Sequence, residues 1–249
     1  LNKGCDATTF SSSGDNVAAC NTLANNVIGP VDQTNDATGL DDVLIDQDNN
    51  VAVSQDLTAN NDCDATARSN VRCSNDAGGN EIISITQDND ALGDGFAVIS
   101  QSNDVTINQR ADLLNSCDES GDGDNEAECN NDADFESTIL GPVVQTNTAS
   151  GATQSDTVSQ SNVAQITQNI QAVNDCAVEN TGSNFIVCTH TEPEDVLDSM
   201  TQTNNAIAGD DTVQTNFAGV VQDMQLENVC DQSGLGNNNA QCDSNSADN

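Results

Sequence analysis

The sequence predicts an all-β protein: a β-solenoid-like stack of four repeats of about 55 residues, with a Cys-bounded loop in each repeat. Three observations favour this fold class. Ten cysteines form five regularly spaced pairs, a Gln-x-Asn motif recurs at fixed distances, and residue types alternate strictly within each motif. A long, regular period is typical of repeat architectures, in which neighbouring repeats bury each other's apolar faces.

The cysteine pairs set the period, because their first members recur at nearly equal intervals along the chain. Disulfides within each pair are favoured, since zinc sites usually combine closer Cys spacing with further Cys or His ligands. A bridge between layers, for example Cys73 to Cys117, remains an alternative. Each within-pair bridge is expected to stabilise the fold by roughly 3 kcal/mol through restraint of the unfolded chain. The pairs are Cys5/Cys20, Cys63/Cys73, Cys117/Cys129, Cys176/Cys188 and Cys230/Cys242.

This spacing divides a single repeat domain, residues 1–249, into units. The units span residues 5–62, 63–116, 117–175 and 176–229, and a partial fifth unit spans 230–249. Each unit is expected to hold two or three strands, loops that carry Asp and Gly, and the Cys-bounded loop. Because no polar cap is evident, the fifth Cys pair is interpreted as the start of a unit that another chain completes.

Each unit carries two Gln-x-Asn motifs. The first has an apolar residue two positions before Gln and Ala two positions after Asn, which places all four on one strand face. The second follows after a short segment of variable length; another Gln lies eight residues beyond its Gln, and the next Cys eight residues beyond that. Constant spacing indicates paired structure. The motif residues are Gln33, Asn35, Gln47, Asn49, Gln55, Gln87, Asn89, Gln101, Asn103, Gln109, Gln145, Asn147, Gln160, Asn162, Gln168, Gln202, Asn204, Gln214, Asn216 and Gln222.

These amides are predicted to face inward and to form stacking ladders. A buried amide is costly unless its donors and acceptors are paired. Identical residues in layers about 4.8 Å apart can pair with one another, as Asn and Gln ladders do in stacked β structure. The alternative is that the amides face solvent. The second copy favours the inward arrangement, because Val105 and Ile107 share the amide face whereas Asp104 and Thr106 lie on the other.

The second motif resembles half of a known repeat. Segments 162–168 and 216–222 both read Asn-x-Ala-x-x-x-Gln, which is similar to the end of the curlin repeat, while the first two copies carry Val51 and Val105 in place of Ala. Curlin-like proteins are secreted and polymerise into amyloid-like β-solenoid fibres of biofilm matrices, and the resemblance implies that role here. The longer period, the closer Gln and Asn, and the regular Cys pairs depart from the curlin pattern.

The net charge of −37, from 41 acidic and four basic residues, disfavours nucleic acid and anionic membranes as partners. No apolar stretch approaches the roughly 20 residues of a membrane span. Such a surface attracts cations. Asp118, Asp122 and Asp124 alternate with other residues in the third Cys-bounded segment, a composition that suits Ca²⁺, although a solvated acidic loop is the alternative and EF-hand spacing is missing. No other cofactor is expected.

We therefore predict a structural role outside the cell. The even set of cysteines indicates an oxidising compartment, and a chain that starts at Leu1 is interpreted as a processed, secreted product. The sequence contains no catalytic motif, so the chain is not expected to be an enzyme. The expected function is an extracellular filament subunit of biofilm, matrix or adhesive type that polymerises end to end with itself, with cations or other matrix components as further partners. The alternative is a monomeric secreted solenoid that binds a surface, ice or cations.

Overall fold

A computed structural model describes residues 2–10, 16–23, 26–40, 43–66, 69–76, 79–94, 97–120, 125–132, 138–151, 157–179, 183–191, 195–207, 211–233 and 237–244. In chain order the strands of the first half are β1 (Asn2–Phe10), β2 (Asn16–Leu23), β3 (Asn26–Ile28), β4 (Val31–Leu40), β5 (Val43–Thr66), β6 (Ser69–Asp76), β7 (Asn80–Ile82), β8 (Ile85–Asp94) and β9 (Ala97–Ser120). Those of the second half are β10 (Asn125–Asp132), β11 (Thr138–Leu140), β12 (Val143–Gly151), β13 (Thr157–Glu179), β14 (Asn184–Thr191), β15 (Asp195–Leu197), β16 (Met200–Ile207), β17 (Asp211–Ser233) and β18 (Asn238–Ser244).

The strands form four parallel sheets, and each strand pairs with the strand four places along the chain. Sheet I contains β1, β5, β9, β13 and β17, and sheet II contains β2, β6, β10, β14 and β18. Sheet III contains β3, β7, β11 and β15, and sheet IV contains β4, β8, β12 and β16. The chain therefore rises as a solenoid, and the predicted all-β stack is confirmed. Within the described residues, no helix is long and apolar enough to cross a membrane.

Each unit supplies four strands, so the expectation of two or three was too low. Two features account for the difference. The strands of sheet III are only three residues long, for example β7, which is too short for an alternation pattern to be recognised. The Cys-bounded segment is also mostly strand, because β5 continues three residues past Cys63 and β6 begins at Ser69.

The long strands of sheet I lie opposite the other three sheets in turn. Strand β9 alternates buried and more exposed residues along its 24 positions. Most inward positions that are not amides or cysteines hold small or medium aliphatic residues, which suits a sequence with no Trp or Tyr. One such stacked cluster consists of Leu57, Ala59, Ala111, Leu113, Ile170 and Ala172. Burial in successive layers gives these columns an apolar core, with each layer covered by the next.

The pairing is in register, so identical residues stack in successive layers. Gln145 pairs with Gln202, and Cys176 pairs with Cys230. Strand β1 is the exception, because it aligns Cys5 with Asn61, two positions out of step, whereas β2 keeps Cys20 opposite Cys73.

Four disulfides lie within their layers, as predicted. They join Cys63 to Cys73, Cys117 to Cys129, Cys176 to Cys188, and Cys230 to Cys242. None of these four is the alternative bridge between layers. The side chains of Cys5 and Cys20 lie outside the described residues. Disulfides of this kind persist in oxidising environments, which agrees with the compartment predicted from cysteine usage.

Short turns carry the chain from sheet III to sheet IV, and backbone hydrogen bonds continue the stacking through them. The Gly141 N–H donates to Ile82 O at 2.8 Å, and the Ile85 N–H donates to Pro142 O at 3.0 Å. A Cβ atom at Gly141 would overlap the carbonyl oxygen of Ile83, whereas one at Gly29 would have no atom within 4 Å. The neighbouring layer therefore leaves no room for a side chain at position 141.

Candidate functional site: the amide ladders

Three columns of glutamine run along the stack, and each Nε2 donates to the Oε1 of the layer before it. The column of sheet IV begins with Gln87 donating to Gln33 at 3.0 Å. In sheet I, Gln101 donates to Gln47 at 2.8 Å, and Gln109 donates to Gln55 at 2.8 Å. Both series continue to the last layer, where Gln214 donates to Gln160 and Gln222 to Gln168. Strand alternation places these residues on the inner face.

Three columns of asparagine run beside them. One is in sheet IV and begins with Asn35 donating to Asn89 at 3.0 Å; another is in sheet I and begins with Asn49 donating to Asn103 at 3.1 Å. These two columns also bond to each other across the interior, as Asn35 to Asn49 at 2.9 Å and Asn49 to Asn89 at 3.0 Å. The alternating bonds form a zigzag that extends to Asn204 and Asn216. The two sheets are therefore joined by a continuous chain of amides.

The glutamine and asparagine columns donate in opposite directions along the stack. Gln145 donates toward the first layer, to Gln87, whereas Asn89 donates toward the last layer, to Asn147. Both kinds of side chain also donate to backbone carbonyls of the facing strand, for example Asn147 to Ser161 O at 3.1 Å. The buried amides are thus paired on both sides, which avoids the cost of burying them alone.

All twenty predicted ladder residues take part in side-chain bonds of these columns. The predicted residues of β5, β8, β9, β12 and β13 are buried, including Gln47, Asn89 and Asn103, while those of β4, β16 and β17 are partly or fully exposed. The third asparagine column, which faces sheet II, was not among the predicted ladder residues. It runs through Asn61, Asn115, Asn174 and Asn228. Its signal was present in the sequence, since each of these residues precedes a Cys by two positions.

A further polar column in sheet III was also missed. It contains Asn26, Asn80, Thr138 and Asp195, which pair in register and each lie five residues before the apolar residue that opens the first motif. Asn26 donates to Asn80 at 3.3 Å, and the Thr138 hydroxyl donates to the Asp195 carboxylate. The remaining oxygen of Asp195 is buried and has no hydrogen-bond partner among the described residues. This column changes from amide to hydroxyl at Thr138 and to carboxylate at Asp195.

Burial raises the pKa of Asp195 to about 6, an effect that nearby Asp223 increases and the Thr138 hydrogen bond opposes. The folded chain therefore holds a proton that the unfolded chain has released between about pH 4 and pH 6. The free energy of unfolding should fall as the pH rises through this window. Above about pH 6, Asp195 is ionised in the folded chain, and burial makes this charged form unfavourable.

Asp195→Asn should remove this pH dependence and raise the free energy of unfolding at pH 7 by roughly 1–2 kcal/mol. Urea unfolding of both proteins at pH 4.5 and pH 7 measures the difference. Asp198→Asn, at an exposed turn position three residues later, is the matched control and should match the parent protein at both pH values. Equal pH slopes for the parent and Asp195→Asn would contradict the assignment.

Candidate metal ligands are few in the described part of the chain. There are two groups of three cysteines in which the sulfur atoms of each group lie within 4.8 Å of one another. All six sulfurs belong to disulfides, so they offer no thiolate to a metal. Their proximity follows from the stacking of disulfides in successive layers. Asp118 is exposed at the end of β9, while Asp122 and Asp124 lie outside the described residues, so the Ca²⁺ hypothesis stays a prediction.

The outer faces carry acidic and polar residues together with exposed apolar side chains such as Leu92 and Val98, and the described residues form two ion pairs there. Arg72 of β6 contacts Glu128 of the neighbouring strand β10 at 3.0 Å, and Arg110 contacts Asp112 at 2.8 Å within β9. Both arginine side chains are largely exposed, so solvent screens these pairs and each adds little to the stability of the fold. The surface charge is left mainly to solvent and counterions.

The ladders bring together groups that can recognise another layer of the same kind, because each column repeats one residue at one height. No family model, curated protein or solved structure matches the chain. What is established is therefore the architecture: a parallel β-solenoid with stacked disulfides and continuous Gln and Asn ladders.

Proposed function

We propose that this chain is the structural subunit of a secreted extracellular filament, curlin-like in design, that polymerises end to end through its β-strands. The observation that carries the proposal is the state of the two ends of the stack. Strand β17 pairs with β13 and β16 pairs with β12, and neither pairs with any other described strand. At the opposite end, β3 and β4 are each paired on one side in the same way. Exposed strand edges recruit further strands unless they are blunted.

The last layer also exposes apolar side chains. Six large apolar residues of β16 and β17 are exposed: Ile207, Val213, Phe217, Val220, Val221 and Val229. Five of them lie on the outer face by strand alternation, and Val220 alone of the six points inward. Val220 is the most telling of these. It follows Ile107 and Ile166 in an inward column in which both are buried, yet it is 42% exposed. A further layer would cover it.

The charge sets conditions for this assembly. Subunits with a net charge of −37 repel one another, and the range of that repulsion shortens from about 30 Å at 0.01 M salt to about 10 Å at 0.1 M salt. We expect filaments to form faster and to hold better at high salt or with divalent cations. Acidic outer faces would then make cations, or cation-bridged matrix components, the further partners. Neither catalysis nor nucleic-acid binding is part of the proposal.

Val220→Asp should abolish filaments while leaving the subunit folded, because position 220 becomes buried only when another layer is added. Val221→Asp is the matched control, since the neighbouring residue lies on the outer face and is 58% exposed. Negative-stain images and light scattering of the oxidised proteins in 0.5 M salt provide the measurement. Far-ultraviolet circular dichroism verifies that each variant is folded.

Discrete particles from the parent protein across a series from low to high salt would refute the filament function. Filaments of normal length from Val220→Asp would show instead that assembly does not use this edge. A monomeric binding solenoid would give single particles from the parent and from both variants.

A further inference from the structure

The two ends of the stack are stepped rather than flat. Sheets I and II contain five strands and sheets III and IV contain four. At the first end, β1 pairs with residues 58–66 of β5 and leaves the edge of residues 43–57 without a described partner strand. At the last end, β17 and β18 extend one strand beyond β15 and β16.

These steps fit each other. If β3 and β4 of a second copy pair with β15 and β16, they fill the step beside the first half of β17. Residues 211–222 of β17 then lie beside the open edge of residues 44–55 in β5 of the second copy. Positions 211 and 44 are equivalent, because position 211 pairs with 157, position 157 with 98, and position 98 with 44. The columns continue without a change of residue type, with Gln214 followed by Gln47 and Asn216 followed by Asn49.

One part of the second copy cannot stay where it is. In this joint, the second half of β17 and the strand β18 of the first copy must take the positions that β1 and β2 occupy in the second copy. We propose that β1 and β2 form a displaceable cap, and that residues 223–233 of β17 together with β18 of one copy replace the cap of the next copy as the subunits join. This inference rests on the proposed filament function. With β1 and β2 removed from the stack, every sheet would hold four strands per copy.

The registers explain why β1 should yield to β17. Strand β1 puts Lys3 in line with Ala59, in a column that otherwise holds Leu113, Ala172 and Leu226. Its Cys5 stands at the asparagine column instead of the cysteine column. In contrast, β17 places Leu226, Asn228 and Cys230 in the matching columns. The incoming segment therefore restores the apolar core and the ladder that β1 interrupts.

The direction of the amide bonds requires a head-to-tail joint. The Nε2 atoms of Gln202 and Gln214 donate to glutamines of the preceding layer. Their Oε1 atoms therefore face the next layer, which must supply the donors. Gln33 and Gln47 can donate in that direction, because the glutamines above them do so. Two last layers placed face to face would oppose oxygen to oxygen. They would also pair the strands antiparallel, against the parallel order of every described sheet.

The environment of Asp195 independently favours the addition of another layer beyond β15. Its side chain is 7% exposed, and one carboxylate oxygen has no hydrogen-bond partner among the described residues. Asn26 of the second copy would follow Asp195 in the sheet III column, and its amide could donate to that oxygen. The joint would thus satisfy a buried acceptor that the single copy leaves unpaired.

Cysteine cross-linking distinguishes displacement from simple stacking. In the displaced joint, Gln225 lies beside Thr58 of the next copy; if β1 stays in place, Gln225 lies beside Asn2 of that copy instead. Adjacent strands hold their Cα atoms about 4.8 Å apart, which is within reach of a disulfide. Equal mixtures of Gln225→Cys with Thr58→Cys, and of Gln225→Cys with Asn2→Cys, are assembled, oxidised and analysed by peptide mapping.

We expect at least tenfold more intermolecular cross-link in the mixture that contains Thr58→Cys. Filaments that cross-link mainly through Asn2→Cys, or through neither position, would overturn the displacement and leave the filament function standing. Filaments absent from both mixtures and from the parent protein would remove the filament function, and the displacement with it. Each single variant alone serves as the control for disulfide exchange with the native bridges.

Discussion

Asn103→Ala is expected to lower the free energy of unfolding by about 3–5 kcal/mol. Asn103 is buried in the middle of the zigzag and donates to Thr146 O, to Asn147 and to Asn162. It also accepts from Asn49 and Asn89. Removal of the amide leaves donors and acceptors of several layers buried without partners, so the loss exceeds that of one hydrogen bond. Urea unfolding, followed by far-ultraviolet circular dichroism, measures it.

Asn103→Asp tests hydrogen bonding without a change of packing, because it keeps the shape of the side chain but replaces the donating amide with a carboxylate. We expect a loss at pH 7 at least as large as that of the alanine variant, since the new carboxylate is buried and unpaired. Asn108→Ala, five residues along the same strand but on the exposed face, is the control and should change the stability by less than about 0.5 kcal/mol. Similar losses at positions 103 and 108 would rule out the ladder as a main source of stability.

Gly141→Ala is expected to cost about 3 kcal/mol or more, because the added methyl carbon would overlap the carbonyl oxygen of Ile83. The layers cannot separate locally to relieve this contact, since the Gly141 N–H is bonded to Ile82 O in the same neighbouring layer. Thermal unfolding of the oxidised variant provides the measurement.

The chain contains a close control for this substitution. Gly29 occupies the equivalent turn of the first layer, where an added Cβ has open space around it. Gly29→Ala should leave the free energy of unfolding within about 0.5 kcal/mol of the parent value, or raise it slightly through the unfolded chain. An equal loss at both positions would mean that the turn conformation, and not the neighbouring layer, requires glycine.

The repeat period, the inward amides and the bridging of cysteines within layers could be predicted because each rests on residue identity at constant spacing. Gln101, Asn103 and Cys117 recur at the same distances in every unit, and a ladder requires such repetition. The same reasoning could have included Asn115, which lies in the same alternating series. It was missed because a lone Asn before a Cys is a weaker signal than a Gln-x-Asn pair.

Other features depend on contacts that spacing alone does not reveal. The strands of sheet III, such as β11, hold three residues and are defined by their neighbours above and below rather than by propensity. The displaced register of β1 is visible only from its pairing partners, which align Cys5 with Asn61 while Cys20 lies opposite Cys73. The partnerless oxygen of Asp195 likewise depends on its position in the last layer of the described chain.

The opposed directions of the ladders have a consequence for the length that such a stack can reach. An aligned column of amides carries a dipole that grows with every layer, as in a helix. Here three glutamine columns point one way and three asparagine columns point the other, as the bonds Gln145 to Gln87 and Asn89 to Asn147 illustrate. Their dipoles oppose each other, so each added layer leaves the side-chain ladders close to zero net polarisation along the axis. The electrostatic cost of lengthening the ladders therefore does not accumulate with the number of layers.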